Sequence, residues 1–371
     1  MRTHRPIVLI VWLLAATAQA QASTLYVRPD GTDRADGSTM FNALRTISEA
    51  ARRAAPGDVI ELGEGVYEGA VISNPGRADA WIRMQPHAGQ KAVIQGSGRG
   101  PTIYFYHRSC DEDRAPGIEC QPMFWELRGL TVRGSPGGDG DGYTVKIDTP
   151  QVRLVENDLC CARADIVKLV RTADDVAILG NRIHDNAAPD GANAQGVDIV
   201  GADRTWVAFN HVHDIPSIGM YAKGNARNTV FEHNLLERIA SNGIMLGQST
   251  DAERLVDGKY ESYDGVIRDN LLSAIGWACL ATASSMNVHI HHNTCIDTGL
   301  TLHGAVLVSN ESEIGQAGRG VAIDHNLFIG RSRLPMIKVV ERAMEDPSTL
   351  RIDRNLYWTR DGAAPRFTLR D

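Results

Sequence analysis

Aromatic side chains are scarce, at 6% of 371 residues, too few to line a long surface with a stacking platform. Beyond the first twenty residues, no apolar run approaches the ~18 residues needed to cross a bilayer as a helix. Positive charge is not in excess either. The formal net charge of −7 gives no support for binding nucleic acid or an anionic membrane. No CxxC pair or His/Cys spacing suggests a zinc site. Sustained 3.6-residue periodicity is missing too, which excludes a helical solenoid.

What the chain does have begins at its start. Arg2 and Arg5 precede the apolar stretch Ile7 to Ala16, and Ala18-Gln19-Ala20 has the small-x-small form of a cleavage site. This order predicts a secretory leader over residues 1–20, cleaved before Gln21, with an uncleaved membrane anchor as the alternative. Residues 21–371 would then form one periplasmic or extracellular domain, expected as a monomer. Export permits disulfides among the six cysteines. Cys110 and Cys120 flank a polar loop and are the favoured pair. Cys279 and Cys295 can pair or remain buried thiols. Cys160 and Cys161 are adjacent and are not expected to bond each other, so their state is open.

An asparagine recurs about every 28 residues, at Asn157, Asn181, Asn210, Asn234, Asn270, Asn293, Asn326 and Asn355. Three positions earlier stands Leu154, Ile178, Val207, Phe231, Ile267, Ile290, Ile323 or Ile352. Two positions later stands Leu159, Ile183, Val212, Leu236, Leu272, Cys295, Phe328 or Tyr357. Period-two alternation on both sides means short strands with one buried face. Asparagine tolerates the left-handed backbone of a sharp bend, and its amide can bond the asparagine of the next coil. The repeat therefore predicts an all-β, right-handed parallel β-helix of three-strand coils with an asparagine ladder. Residues 43–54, stopped by Pro56-Gly57, read as an amphipathic helix that caps the first coil.

This N-terminal block followed by asparagine-laddered coils resembles the pectate-lyase-like superfamily of right-handed β-helix proteins. The fold hosts lyases, hydrolases, epimerases and binding proteins, so the resemblance bears on architecture more than on reaction. It implies a substrate lying along the third strand of each coil. Those strands read GVDIVGA (196–202), GMYAKGN (219–225), GIMLGQS (243–249), ACLATAS (278–284) and GAVLVSN (304–310). Long insertions at 248–264 and 309–320 follow two of them, and the polar loop 184–196 lies on the opposite edge. Loops of that length in a compact repeat suggest a role.

Alternation turns Asp198, Tyr221 and Met245 outward in one column, with Lys223 in the next and Gly247 leaving space beside it. β-Elimination from a uronic acid needs a base for the proton α to the carboxylate, and a partner that quiets the carboxylate. Lys223 and Tyr221 are the catalytic candidates, as base and acid. Arg227, Gln248, Asn225 and His303 are candidates for binding substrate, and Asp198 with Asp214 for holding calcium. The segment MYAKGNARNTVFEHN (220–234) resembles the lysine-bearing strand of polysaccharide lyase family six, the alginate and chondroitin-B lyases, with Lys223 at the position of the base. The upstream acidic residues of that family are replaced here by PSIGMY (216–221), and IMLGQ (244–248) holds no arginine. The expected partner is an acidic polysaccharide, with neither nucleic acid nor membrane.

A glycoside hydrolase using Asp198 and Asp214 is a second possibility. The NTD, DD, GHG and RIK set of polygalacturonases and the DPHD motif of mannuronan epimerases are absent. A non-catalytic carbohydrate-binding β-helix is a third. His233, Asp269, His292 and His325 share the slot before the asparagine and form a conceivable metal column.

Overall fold

Each repeat in the computed structural model makes one coil of three strands. The residues described are 22–98, 100–110, 120–135, 142–189, 192–252, 255, 258–310, 316–331 and 333–369; the leader expected over residues 1–20 lies outside them. In the coil after Asn210, for example, Trp206–Ala208 precedes the asparagine, His211–Ile215 follows it, and Met220–Lys223 returns. Equivalent strands stack in parallel register into a first sheet of 14 strands and a second and third of 11 each, among the described residues. In the third sheet Val197 stands opposite Met220, Met220 opposite Ile244, and Ile244 opposite Leu280.

Alternation fills the interior. Phe231, Leu236 and Met220 come from the three sheets of adjoining strands, and all three are fully buried. Each such side chain contributes about 1.5–3 kcal/mol by leaving water. The core is a continuous column from Val27 to Met344.

The asparagine ladder runs unbroken from Asn157 to Asn355. Asn234 is typical: its backbone N–H and its Nδ2 both donate to Asn270 Oδ1, at 2.9 and 3.0 Å. Nδ2 also donates to the Val207 carbonyl at 2.9 Å. The left-handed residue at the bend is not the asparagine, as the sequence suggested, but the one before it. Phe209, His233, Asp269, His292 and His325 have φ of 60, 53, 54, 55 and 54°. The preceding residue makes the turn, which leaves the asparagine amide aimed along the stack.

The capping helix is shorter than expected, Ile47–Arg53 instead of 43–54. Leu44 is drawn into a parallel bridge with Val27, so the helix starts only at the Thr46 N-cap, whose hydroxyl accepts from the Glu49 N–H at 3.2 Å. Ile47, Ala50 and Ala51 are its buried face. Among the described residues, no helix is long and apolar enough to cross a membrane.

Cys110 pairs with Cys120 and Cys279 with Cys295. Against expectation Cys160 bonds its neighbour Cys161. The chain makes room by putting Cys161 in the left-handed region, at φ 73°.

Candidate functional site: the outer face of the third sheet

The register carries one outward column through Lys146, Lys168, Asp198, Tyr221, Met245, Ala281, Leu307 and Lys338. Its middle is not open. Tyr221, Met245, Ala281 and Leu307 pack with Ile218, Ala278 and Ala283 in a second apolar cluster, and Tyr221 is 1% exposed. Below this cluster sits a charged group. Lys168 is ion-paired to Asp198 and lies 3.6 Å from Asp165. Burial pushes the Asp165 carboxyl well above the usual range, and the charge of Asp198 pushes it the same way. Burial opposes the charge on Lys168, but Asp198 and Asp165 outweigh it and raise its pKa, so Lys168 stays a cation. Lys168 and Asp165 were not legible in the sequence, because only the stacking of Val167–Leu169 against Val197–Val200 brings them to Asp198.

Beside the apolar cluster lies an open cleft of about 460 Å³. Asn193, Gln195, Ser217 and Ser241 reach it from the loops entering the third sheet, Gln248 from the loop leaving it, and Trp277 supplies an indole. Gln195 Nε2 donates to Asn193 Oδ1 at 3.0 Å and to Ser217 Oγ at 3.2 Å. The Oε1 atoms of Gln195 and Gln248 have no protein donor. Trp277 meets His303 edge to face, with centroids 5.6 Å apart, and Lys338 Nζ lies 3.4 Å from His303 Nδ1. Amides, hydroxyls and one aromatic face can hold a hydroxyl-rich ring.

The predicted residues divide between this region and others. Gln248 lines the cleft, His303 sits behind its indole, and Lys223 stands next to it. Lys223 Nζ donates to the Ser249 carbonyl at 3.2 Å and lies 5.1 Å from the centre of the Tyr221 ring. Arg171, also missed, reaches the Gly224 carbonyl at 3.4 Å from two coils away.

Tyr221 is corrected as an acid that meets substrate. It is buried under the apolar cluster, and burial together with the Asp198 charge raises its pKa well above the usual phenol range. Asp198 is likewise buried, beside Lys168. Asp214 lies on the second sheet, where Arg238 Nε and Nη2 take its two carboxylate oxygens at 2.7 and 2.9 Å and His213 approaches one at 2.6 Å. Asp198 and Asp214 therefore lie on different sheets, each paired to a cation, and they do not form a shared calcium site.

Asn225 and Arg227 are corrected as substrate ligands because both fasten the 248–264 insertion. Asn225 Nδ2 donates to the carbonyls of Gly258 and Tyr260, and the Arg227 guanidinium lies 4.0 Å from the centre of the Tyr263 ring. Gly247 leaves no space: at φ 82°, a Cβ there would meet the Ala283 carbonyl oxygen at 1.8 Å. The slot before the asparagines is used for ring stacking, Phe209 on His233 and His292 on His325.

The family model described as right handed beta helix region matches residues 161–328. No curated protein sequence matches the chain. Among solved structures, the chain is similar to pectate lyase Pel9A, with a TM-score of 0.56, 15% identity, and coverage of 93% of this chain and 82% of that one. The alginate lyase of Paenibacillus sp. strain FPU-7 aligns with a TM-score of 0.54 and 14% identity over 87% of this chain and 95% of the other. PfbA, a surface adhesin of Streptococcus pneumoniae, aligns with a TM-score of 0.55 and 11% identity over 83% and 78%. At these identities the likeness establishes the fold, a right-handed parallel β-helix, and leaves the chemistry to the site.

Proposed function

We propose that this β-helix is exported, holds an acidic polysaccharide along the outer face of its third sheet, and cleaves it by β-elimination with Lys223 as the base. The observation that carries the reading is the cleft: Asn193, Gln195, Ser217, Ser241 and Gln248 line the same space as the Trp277 indole. Sugar hydroxyls can bond such amides and hydroxyls, and the indole suits a sugar ring's C–H face. Two cationic groups favour an acidic sugar, Lys223 with Arg171 at one end and Lys338 with His303 at the other. Lys223 is bonded to the residue that follows Gln248, so base and cleft wall form one assembly.

In the reaction, the unprotonated Lys223 amine takes the proton α to the uronate carboxylate. The C–H electron pair becomes the C4–C5 double bond, the C4–O bond breaks, and the leaving oxygen is protonated by water. Arg171, whose guanidinium reaches the Gly224 carbonyl from a lower coil, would quiet the carboxylate. No step needs calcium. The test is incubation with a panel of uronic polymers, following the ultraviolet absorbance of the unsaturated product. Lys223→Ala is expected to lose about 10²–10⁴-fold in rate at an unchanged melting temperature. Absence of unsaturated product from every polymer would sink the reaction. The burial of Tyr221 and Asp198 favours a second reading, binding without cleavage, which predicts retention on an acidic-polysaccharide affinity gel that Trp277→Ala weakens.

A further inference from the structure

The outer face of the second sheet carries a different chemistry, which the polysaccharide reading does not use. Asp158–Cys160 and Arg182–His184 are neighbouring strands whose register sets Cys160 opposite His184. Alternation turns Asp158 and Cys160 to the same side. A carboxylate oxygen of Asp158, Sγ of Cys160 and a ring nitrogen of His184 all lie within 4.8 Å of one another. Carboxylate, thiolate and imidazole are the donors that borderline-soft divalent cations select. The imidazole is already oriented: Nδ1 meets Asp185 Oδ2 at 2.7 Å, while Nε2 is 2.9 Å from Asp158 Oδ1. Asp185 can keep the Nδ1 proton and leave Nε2 for a metal, the arrangement by which outer carboxylates orient metal-bound histidines. Only the sulfur is withheld, because Cys160 is bonded to Cys161 and the ligand form of cysteine is the thiolate. A cleft of about 470 Å³ opens over both cysteines, Asp158 and His184.

We propose that this is a redox-gated metal site: reduction of the Cys160–Cys161 disulfide by a dithiol creates a site for Zn²⁺ or a similar cation on Cys160, His184 and Asp158. A thiolate of the dithiol attacks Sγ of Cys161, the more exposed of the two, and Cys160 leaves as the thiolate. The second sulfur of the dithiol then displaces Cys161, so the dithiol gives up two electrons and two protons and becomes a disulfide. Metal binding takes the Cys160 thiolate and the unprotonated Nε2, releasing whatever protons they carry. Arg182 now approaches Asp158 at 3.3 Å and His184 Nε2 at 3.0 Å; its side chain is 49% exposed and can swing into solvent to make way.

The experiment titrates Cd²⁺ into the full chain before and after dithiol treatment and reads the thiolate-to-cadmium charge-transfer absorbance. The reduced protein is expected to bind one Cd²⁺ per chain and the oxidised protein none. Cys160→Ser/Cys161→Ser should abolish the band. Should that variant fail to fold, Asp158→Asn decides, since it keeps both sulfurs and should weaken binding at least tenfold. Asp185→Asn should weaken it about 10–100-fold, the usual worth of an outer partner. The proposal is overturned if reduced protein shows two new thiols but no band, if the band survives in Asp158→Asn at unchanged affinity, or if both thiols are already free without reductant.

Discussion

Tyr221 lies 1% exposed in the outward column of the third sheet. Strand alternation put it in the right column, opposite Asp198 and Met245, because side-chain direction in a strand has period two. Alternation is silent on whether the outer face is then covered, and here it is. The phenol serves as a buried partner of Asp198 and a floor beneath Lys223. Tyr221→Phe should therefore lower stability by about 1.5–3 kcal/mol, the worth of a hydrogen bond to a charged group, in a denaturant titration. Turnover at saturating substrate should change little at a temperature where the variant is folded. Asp324 makes a prediction of a different kind. Burial alone would raise its pKa, but hydrogen bonds from His325 and His289, with the charge of Arg351, outweigh it and hold the carboxyl at about 2. A folded-state value below the ordinary 3.8 adds stability above that value and loses it as pH falls toward 2. The stability gap between wild type and Asp324→Asn, read from urea midpoints, should therefore narrow as pH drops from about 4 to about 2.

Among the elements, the ladder was the most legible, because each asparagine is flanked by apolar residues at fixed offsets. The identity of the bending residue was not. Phe209, His233 and Asp269 have no side-chain chemistry in common that announces a positive φ, and the position is imposed by the asparagine beside it. The vicinal Cys160–Cys161 bond was hidden in the same way, since adjacency argues against it until Cys161 is seen in a left-handed conformation. Asn234→Ala removes an amide whose oxygen accepts both the N–H and the Nδ2 of Asn210, and whose own Nδ2 donates to Val207 and Asn270. The groups left behind are buried and cannot turn to water. A loss of about 1–3 kcal/mol is expected, and an unchanged melting temperature would contradict the ladder's role. The helix boundary missed by four residues for a similar reason: the bridge between Leu44 and Val27 is a tertiary contact, and 3.6-residue periodicity does not register it.

For the molecule as a whole, the fold was readable because it is one motif repeated, while the site was not, because it is assembled from different coils. Gln195, Ser217, Gln248 and Trp277 stand on different coils and line one cleft only through stacking. If uronic polymers are cleaved, chelator should leave the rate unchanged, since Asp214 is occupied by Arg238 and Asp198 by Lys168. A rate abolished by chelator and restored by calcium would contradict that reading. The parallel register has one more consequence. Every coil adds one rung whatever its length, so the stack is a graduated rule, and positions along its axis come in whole marks. From the strand of Lys223 to that of Lys338 there are four marks, about 19 Å at the usual strand separation. A longer insertion cannot move those two ammonium groups closer; only the loss of a whole coil can. A ligand that touches both must match that fixed gauge, which a short sugar chain can do and a single sugar cannot.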